Sequence, residues 1–239
     1  MNLCCLMIMN LLRMSVEAMT VQIFIGLATE GSTDIRFFES IVRRTFQEIA
    51  LKECRPDIDI DIRRLNTKKT GLSFVEYVKQ ASYDGVKDFG MMVLAIHTDA
   101  DREAYDVRRM YNINPAQEEL NKQGDDYCKI LTPVIPVRMM EAWMLADKEL
   151  LKSEIGTTKS DNDLKINRNP ESIANPKEVI EEAIRIAQSD FPKRRQRLTI
   201  SDLYAIIGDK ISLDRLLLLN SYQRFQEEVR NTYRILNYM

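Results

Sequence analysis

Four short runs of strand character punctuate the first two-thirds of the chain, with stretches between them long enough to hold helices. The runs are VQIFIGLA (21–28), DIDIDIRRL (57–65), MMVLAIHT (91–98) and CKILTPVIPV (128–137). The second alternates apolar and polar residues, as a half-buried strand does, and the others read as buried strands. Between the first two, Ile35, Phe38, Ile41, Val42, Phe46 and Ile49 recur at helical spacing. Further helices are predicted over 72–83, over 115–122 with Pro115 at the start, and over 139–151. Strands alternating with helices predict an α/β fold: a Rossmann-like, mainly parallel sheet joined by crossover helices. Pro133 and Pro136 put the fourth strand near an edge or a bend. Residues 156–176 are polar and turn-rich, either a long loop or the border of a second lobe, and 177–236 read as three or four helices. The expected division is an N-terminal extension (1–18), an α/β domain (19–151) and a helical C-terminal region (152–239) packed on it.

Several function classes are disfavoured early. The formal charge of -2 over 239 residues supplies no global field toward nucleic acid, so any such binding needs a local patch. Cys4, Cys5, Cys54 and Cys128 form no CxxC pair and no framework, which argues against a zinc knuckle or a disulfide scaffold and suits a reducing cytoplasm. His97 is the only histidine, so any Ser-His-Asp or Cys-His site would have to use it. The opening MNLCCLMIMNLL is a poor signal peptide and too short for a membrane span. No GxxxxGK[ST] stretch occurs, so the chain is not itself a P-loop ATPase.

The acids that follow the strands carry the functional signal. The first strand runs into Thr29-Glu30-Gly31 and the third into Thr98-Asp99-Ala100-Asp101. Ligands of open parallel sheets bind beyond the carboxyl ends of the strands. If 99–101 stays extended, Asp99 and Asp101 face the same way. If the first and third strands are neighbours, Glu30 reaches the same point. Converging carboxylates repel unless a cation sits among them, and a hard ion with oxygen ligands, Mg²⁺ or Mn²⁺, is the natural partner. The competing reading is that strand-end aspartates simply favour turns.

Other positions carry paired readings. Gly31 is expected to allow a tight turn at positive φ, Ser32 or Thr33 to cap the first helix, and Asp34 to sit in its first turn, where the helix dipole favours an acid. A supporting metal role for Asp34 is the minor alternative. Arg138 and Glu141 are the only charged residues between Pro133 and Ala146. Three apart in a helix, they share a face. They form either a mutual ion pair or a functional couple, with Glu141 as metal or water ligand and Arg138 as phosphate clamp. Arg102 faces either solvent or a phosphate. Trp143 is expected in the core, and His97 as a satisfied buried histidine. FPKRRQR (191–197) is the densest basic run, either a solvated face or a contact for a nucleic-acid backbone.

The segments LATEGSTDIRFF, LAIHTDADRE and PVIPVRMMEAWMLAD resemble the Toprim-like proteins, in particular a bacterial family of small stand-alone Toprim proteins of unassigned function. The resemblance covers roughly residues 19–151. It implies that Glu30, Asp99 and Asp101 match the metal-binding acids, and Glu141 and Trp143 carry the block particular to that family. With neither a primase zinc motif nor the length of a topoisomerase, the implied activity is a Mg²⁺- or Mn²⁺-dependent nuclease. It would be related to the overcoming-lysogenization-defect type, acting on nucleic acid with a separate P-loop ATPase in phage defence. The alternatives are a non-catalytic Toprim-like module that docks on such an ATPase, and a phosphoryl-transfer enzyme for small molecules.

Overall fold

A computed structural model of the chain describes residues 20–189 and 197–239. Its strands are β1 (Val21–Ala28), β2 (Ile58–Arg64), β3 (Val93–His97) and β4 (Leu131–Val134). All neighbouring pairs are parallel, in the order β2-β1-β3-β4. The fold is therefore α/β and Rossmann-like, as the alternation predicts. Helix α1 (Ser32–Glu53) joins β1 to β2, and α2 (Phe74–Phe89) joins β2 to β3. A broken helical path leads to β4: α3 (Tyr105–Arg108), a π-helical turn (Arg109–Ile113) and α4 (Asn114–Asn121). After β4 come α5 (Glu141–Met144), α6 (Lys148–Glu154), α7 (Pro176–Gln188), α8 (Ile200–Lys210), α9 (Leu213–Leu216) and α10 (Asn220–Ile235). No helix of the described residues is long and apolar enough to cross a membrane.

The period-2 geometry of the strands sorts the core onto two faces. Ile23, Ile25 and Leu27 of β1, with Val93 and Ala95 of β3, pack against α1 and the C-terminal helices. Ala28, Leu94 and Ile96 face the other way, onto Tyr77, Val78 and Ala81 of α2 and Ile113, Ala116 and Leu120 beyond it. The polar stretch 156–176 is not a linker, because Leu164, Ile166 and Ile173 are buried in the first of these cores. Polar ties bind the C-terminal helices to the sheet layer. Thr132 of β4 meets Thr232 at 2.6 Å, the Trp143 indole N–H donates to Ser221 Oγ at 2.8 Å, and the Tyr233 hydroxyl donates to the Phe46 carbonyl at 2.9 Å.

Two local expectations are corrected. The helix predicted over 139–151 is two short ones, because the Asp147 side chain accepts from the Leu150 N–H at 3.1 Å and starts a new helix. Gly31 is not at positive φ but extended, with φ -128°, and serves as N-cap of α1 while its N–H donates to Asp34 Oδ2 at 2.8 Å. The extension 1–18 lies outside the described residues, as does the basic run 191–197 apart from Arg197.

Helices α1 and α8 meet backbone to backbone at Gly208. A Cβ there would lie 2.9 Å from Phe37 Cα and still closer to its carbonyl oxygen. Gly208→Ala is therefore expected to destabilise the protein by about 1–3 kcal/mol, read as a lower midpoint in urea unfolding.

Candidate functional site

Ala28 of β1 pairs with Ile96 of β3, so the register carried forward sets Glu30 beside Thr98. The chain turns toward β2 on one side of β1 and returns to β3 on the other, which makes the β1–β3 gap the topological switch point of the sheet. There the Thr98 hydroxyl donates to Glu30 Oε1 at 2.7 Å, and Lys69 Nζ stands 3.5 Å from the same oxygen. The sequence condition that the first and third strands be neighbours is met.

His97 is the centre of the charge arrangement. It is 1 % exposed, with Nε2 3.2 Å from Asp99 Oδ1 and Nδ1 3.4 Å from Asp34 Oδ2. The Asp34 approach is an ion-pair distance without hydrogen-bond alignment. Phe38 of α1 stacks on the imidazole with ring centroids 4.4 Å apart and packs its edge against Trp143, which is fully buried as expected. Burial alone would push the His97 pKa down, but the two carboxylates outweigh it and raise it to about 9. Burial likewise works against ionisation of Asp34, yet His97 and the Gly31 N–H bring its pKa below the usual range. Two carboxylates facing the two nitrogens of one buried ring repel each other, the more so where the local dielectric is low. An imidazolium between Asp34 and Asp99 removes much of that repulsion from within the chain.

The remaining candidates divide by position. Asp99 Oδ1 also accepts from the Met140 N–H at 3.0 Å, whereas Oδ2 has no partner among the described residues. Glu141 is 6 % exposed and accepts from the Tyr204 hydroxyl of α8 at 2.7 Å. Burial raises its pKa, the Tyr204 bond opposes the rise, and the charge of Asp99 adds to it. The expectation that 99–101 stays extended is corrected. The Ala100 N–H donates to the Pro136 carbonyl and the Asp101 N–H to the Arg138 carbonyl, and Asp101 then turns into the left-handed region at φ 54°. Its side chain accepts from Arg108 Nη2 at 2.6 Å. Arg138 is also left-handed, at φ 70°, and lies before α5 rather than in it. No ion pair joins it to Glu141 among the described residues, so the shared helical face does not form. Arg138, Arg102 and Arg108 instead line a cleft of about 840 Å³ with Asp101 and Glu103.

The structure thus brings Glu30, Asp34, His97, Asp99 and Glu141 to one end of the sheet and sets Asp101 with the arginines. Among the described residues, no three His, Cys, Asp or Glu side chains are grouped as they would be around a metal ion. Sequence reasoning gave His97 no part in the site and left Arg108 unmentioned. A lone histidine two residues before an Asp-x-Asp is a usable signal, because alternation along the strand turns both side chains to one face. Arg108 gave none, since its reach depends on the turn at Asp101.

His97 also predicts a pH dependence. A group whose folded pKa stands near 9, above its ordinary 6.5, adds stability that is fully present below pH 6.5 and lost as pH rises through 9. The melting temperature is expected to fall across that window, and His97→Gln is expected to flatten the fall, both read by thermal denaturation at fixed ionic strength.

No curated protein and no solved structure matches the chain. Residues 29–229, which include every side chain of the site, match the family described as Domain of unknown function (DUF4276). The chain belongs to that family.

Proposed function

We propose that this chain is a divalent-cation-dependent enzyme that cleaves phosphodiesters in nucleic acid, working at the carboxyl edge of β1, β3 and β4. The observation that carries the reading is the meeting of two kinds of group at the switch point. Glu30 and Asp99 each keep one carboxylate oxygen without a partner among the described residues, and the arginine-lined cleft opens beside Asp101. Guanidinium groups suit phosphate oxygens, which they bind through paired N–H donors. The resemblance of the Glu-Gly and Asp-x-Asp segments to Toprim-like proteins supports the same assignment.

The donor set suits Mg²⁺ or Mn²⁺. Such an ion commonly uses one or two carboxylates and completes its shell with water and substrate phosphate, so a ready cage of three acids is not required. Glu30 and Asp99 would hold it, with Asp101 as a third ligand. The chemistry it would supply there is polarisation of the phosphoryl oxygen and stabilisation of the leaving oxygen. The chain's own residues do the positioning. Thr98 fixes one oxygen of Glu30, and His97 with the Met140 N–H fixes Asp99 Oδ1. The second oxygen of Glu30 either joins the ion or takes a proton from the attacking water. Arg138 and Arg102 neutralise the phosphate. Glu141, buried against Tyr204 and near enough to Asp99 to feel its charge, contacts a site water. A separate P-loop ATPase as partner and a role in phage defence belong to this proposal on the strength of the resemblance.

One observation favours a second reading, a non-catalytic module that docks on an ATPase. Lys69, His97 and Arg108 already neutralise Glu30, Asp99 and Asp101 without an ion. Incubating the purified protein with plasmid DNA and with tRNA separates the two. The enzyme reading expects cleavage with Mg²⁺ or Mn²⁺, none with EDTA, and a loss of at least about 100-fold in Asp99→Asn and in Glu30→Gln. Intact plasmid and tRNA under every metal condition would leave the docking module.

A further inference from the structure

We propose that Arg108 is a substrate-operated latch on Asp101: a phosphate group entering the cleft takes over the Arg108 guanidinium, and the released Asp101 completes the cation site. The inference rests on the phosphodiesterase reading and adds how substrate and ion are coupled.

Arg108 is mostly buried, with 16 % of its side chain exposed, while its partner Asp101 is 61 % exposed. The cation is thus built into the wall and the carboxylate is the movable member. Arg108 Nε is buried with no hydrogen-bond acceptor among the described residues, and Glu103 stands 3.6 Å from it. A buried N–H left without an acceptor is costly, at about 1–3 kcal/mol. A tetrahedral oxyanion, with several acceptor oxygens, can take over the Nη2 donor now held by Asp101. The cleft also carries Arg102 and Arg138, and neither has an ion-pair partner among the described residues. Three arginines against Asp101 and Glu103 leave the cleft cationic, so an arriving phosphate is attracted rather than repelled. Asp101 is hinged at a left-handed residue whose N–H is tied to the Arg138 carbonyl at 2.8 Å. Its side chain can therefore leave Arg108 while the backbone stays in place. The ligand class this selects is a phosphate ester of a nucleic-acid backbone: its oxyanion takes the arginines, and the neighbouring carboxylates would hold the cation that offsets the remaining charge.

Binding of anion and cation should then be mutually reinforcing, because the coupling between two ligands is reciprocal. Mn²⁺ binding to the full chain is measured by electron paramagnetic resonance with and without sulfate, a tetrahedral dianion, at constant ionic strength. In the unaltered protein sulfate is expected to tighten Mn²⁺ binding by about tenfold. Arg108→Gln is expected to bind Mn²⁺ tightly without sulfate and to gain nothing from it. Arg108→Lys, which keeps the charge, restores the sulfate dependence. Asp101→Asn frees the guanidinium and is expected to bind a fluorescent oligonucleotide more tightly in EDTA. Equal Mn²⁺ affinity with and without sulfate overturns the latch, as does an Arg108→Gln affinity no better than that of the unaltered protein. No Mn²⁺ binding by any of these proteins removes the phosphodiesterase reading itself, and the latch falls with it.

Discussion

His97, held between Asp34 and Asp99, joins the first turn of α1 to the end of β3. Without a positive group at that point, two carboxylates would face each other across a buried imidazole covered by Phe38, which in turn packs on Trp143. An unpaired buried charge costs several kcal/mol, so the histidine is as much a part of the fold as the apolar residues around it. The arrangement also settles the orientation of Asp99. With Oδ1 taken by His97 and the Met140 N–H, Oδ2 is the oxygen without a partner among the described residues.

The sheet order makes such a meeting possible. Because β1 is flanked by β2 and β3, the loops leaving β1 and β3 diverge and open a gap at their carboxyl ends. The β4 loop adds a second row of groups, and here the backbone departs from the regular regions. Asp101 and Arg138, both at positive φ, are hydrogen-bonded to each other through the Asp101 N–H and the Arg138 carbonyl. The left-handed conformation costs roughly 1–2 kcal/mol per residue without glycine. The gain is geometric: the turn delivers Asp101 to Arg108 and sets Arg138 on the cleft rather than in a helix. Both of these residues line the same cleft.

The C-terminal helices belong to the same construction. Tyr204 of α8 holds Glu141, and Ser221 of α10 holds the indole of Trp143. The family match spanning 29–229 takes in α8, α10 as far as Val229 and the segments that follow β1, β3 and β4. A perturbation of α8, far along the chain from Asp99, therefore reaches the site through Tyr204 and Glu141.

Periodicity alone determined the four strands, the first crossover helix and the parallel α/β class, because burial on both faces of a sheet writes apolar runs directly into the chain. The acids at the strand ends were likewise legible, since a strand end is where an apolar run stops. The partners of those acids were not. His97 looked like an ordinary core histidine until Asp34 and Asp99 were brought to its two nitrogens, an arrangement of groups 63 residues apart in the chain. The helix expected over 139–151 was broken by one aspartate whose side chain competes for a backbone N–H, a local effect that helical periodicity does not register. Arg108 joined Asp101 only because the backbone turned left-handed there. Charge pairing and turn geometry depend on which segments tertiary packing places side by side, so they were decided by the folded structure, whereas the fold class followed from the pattern of apolar residues.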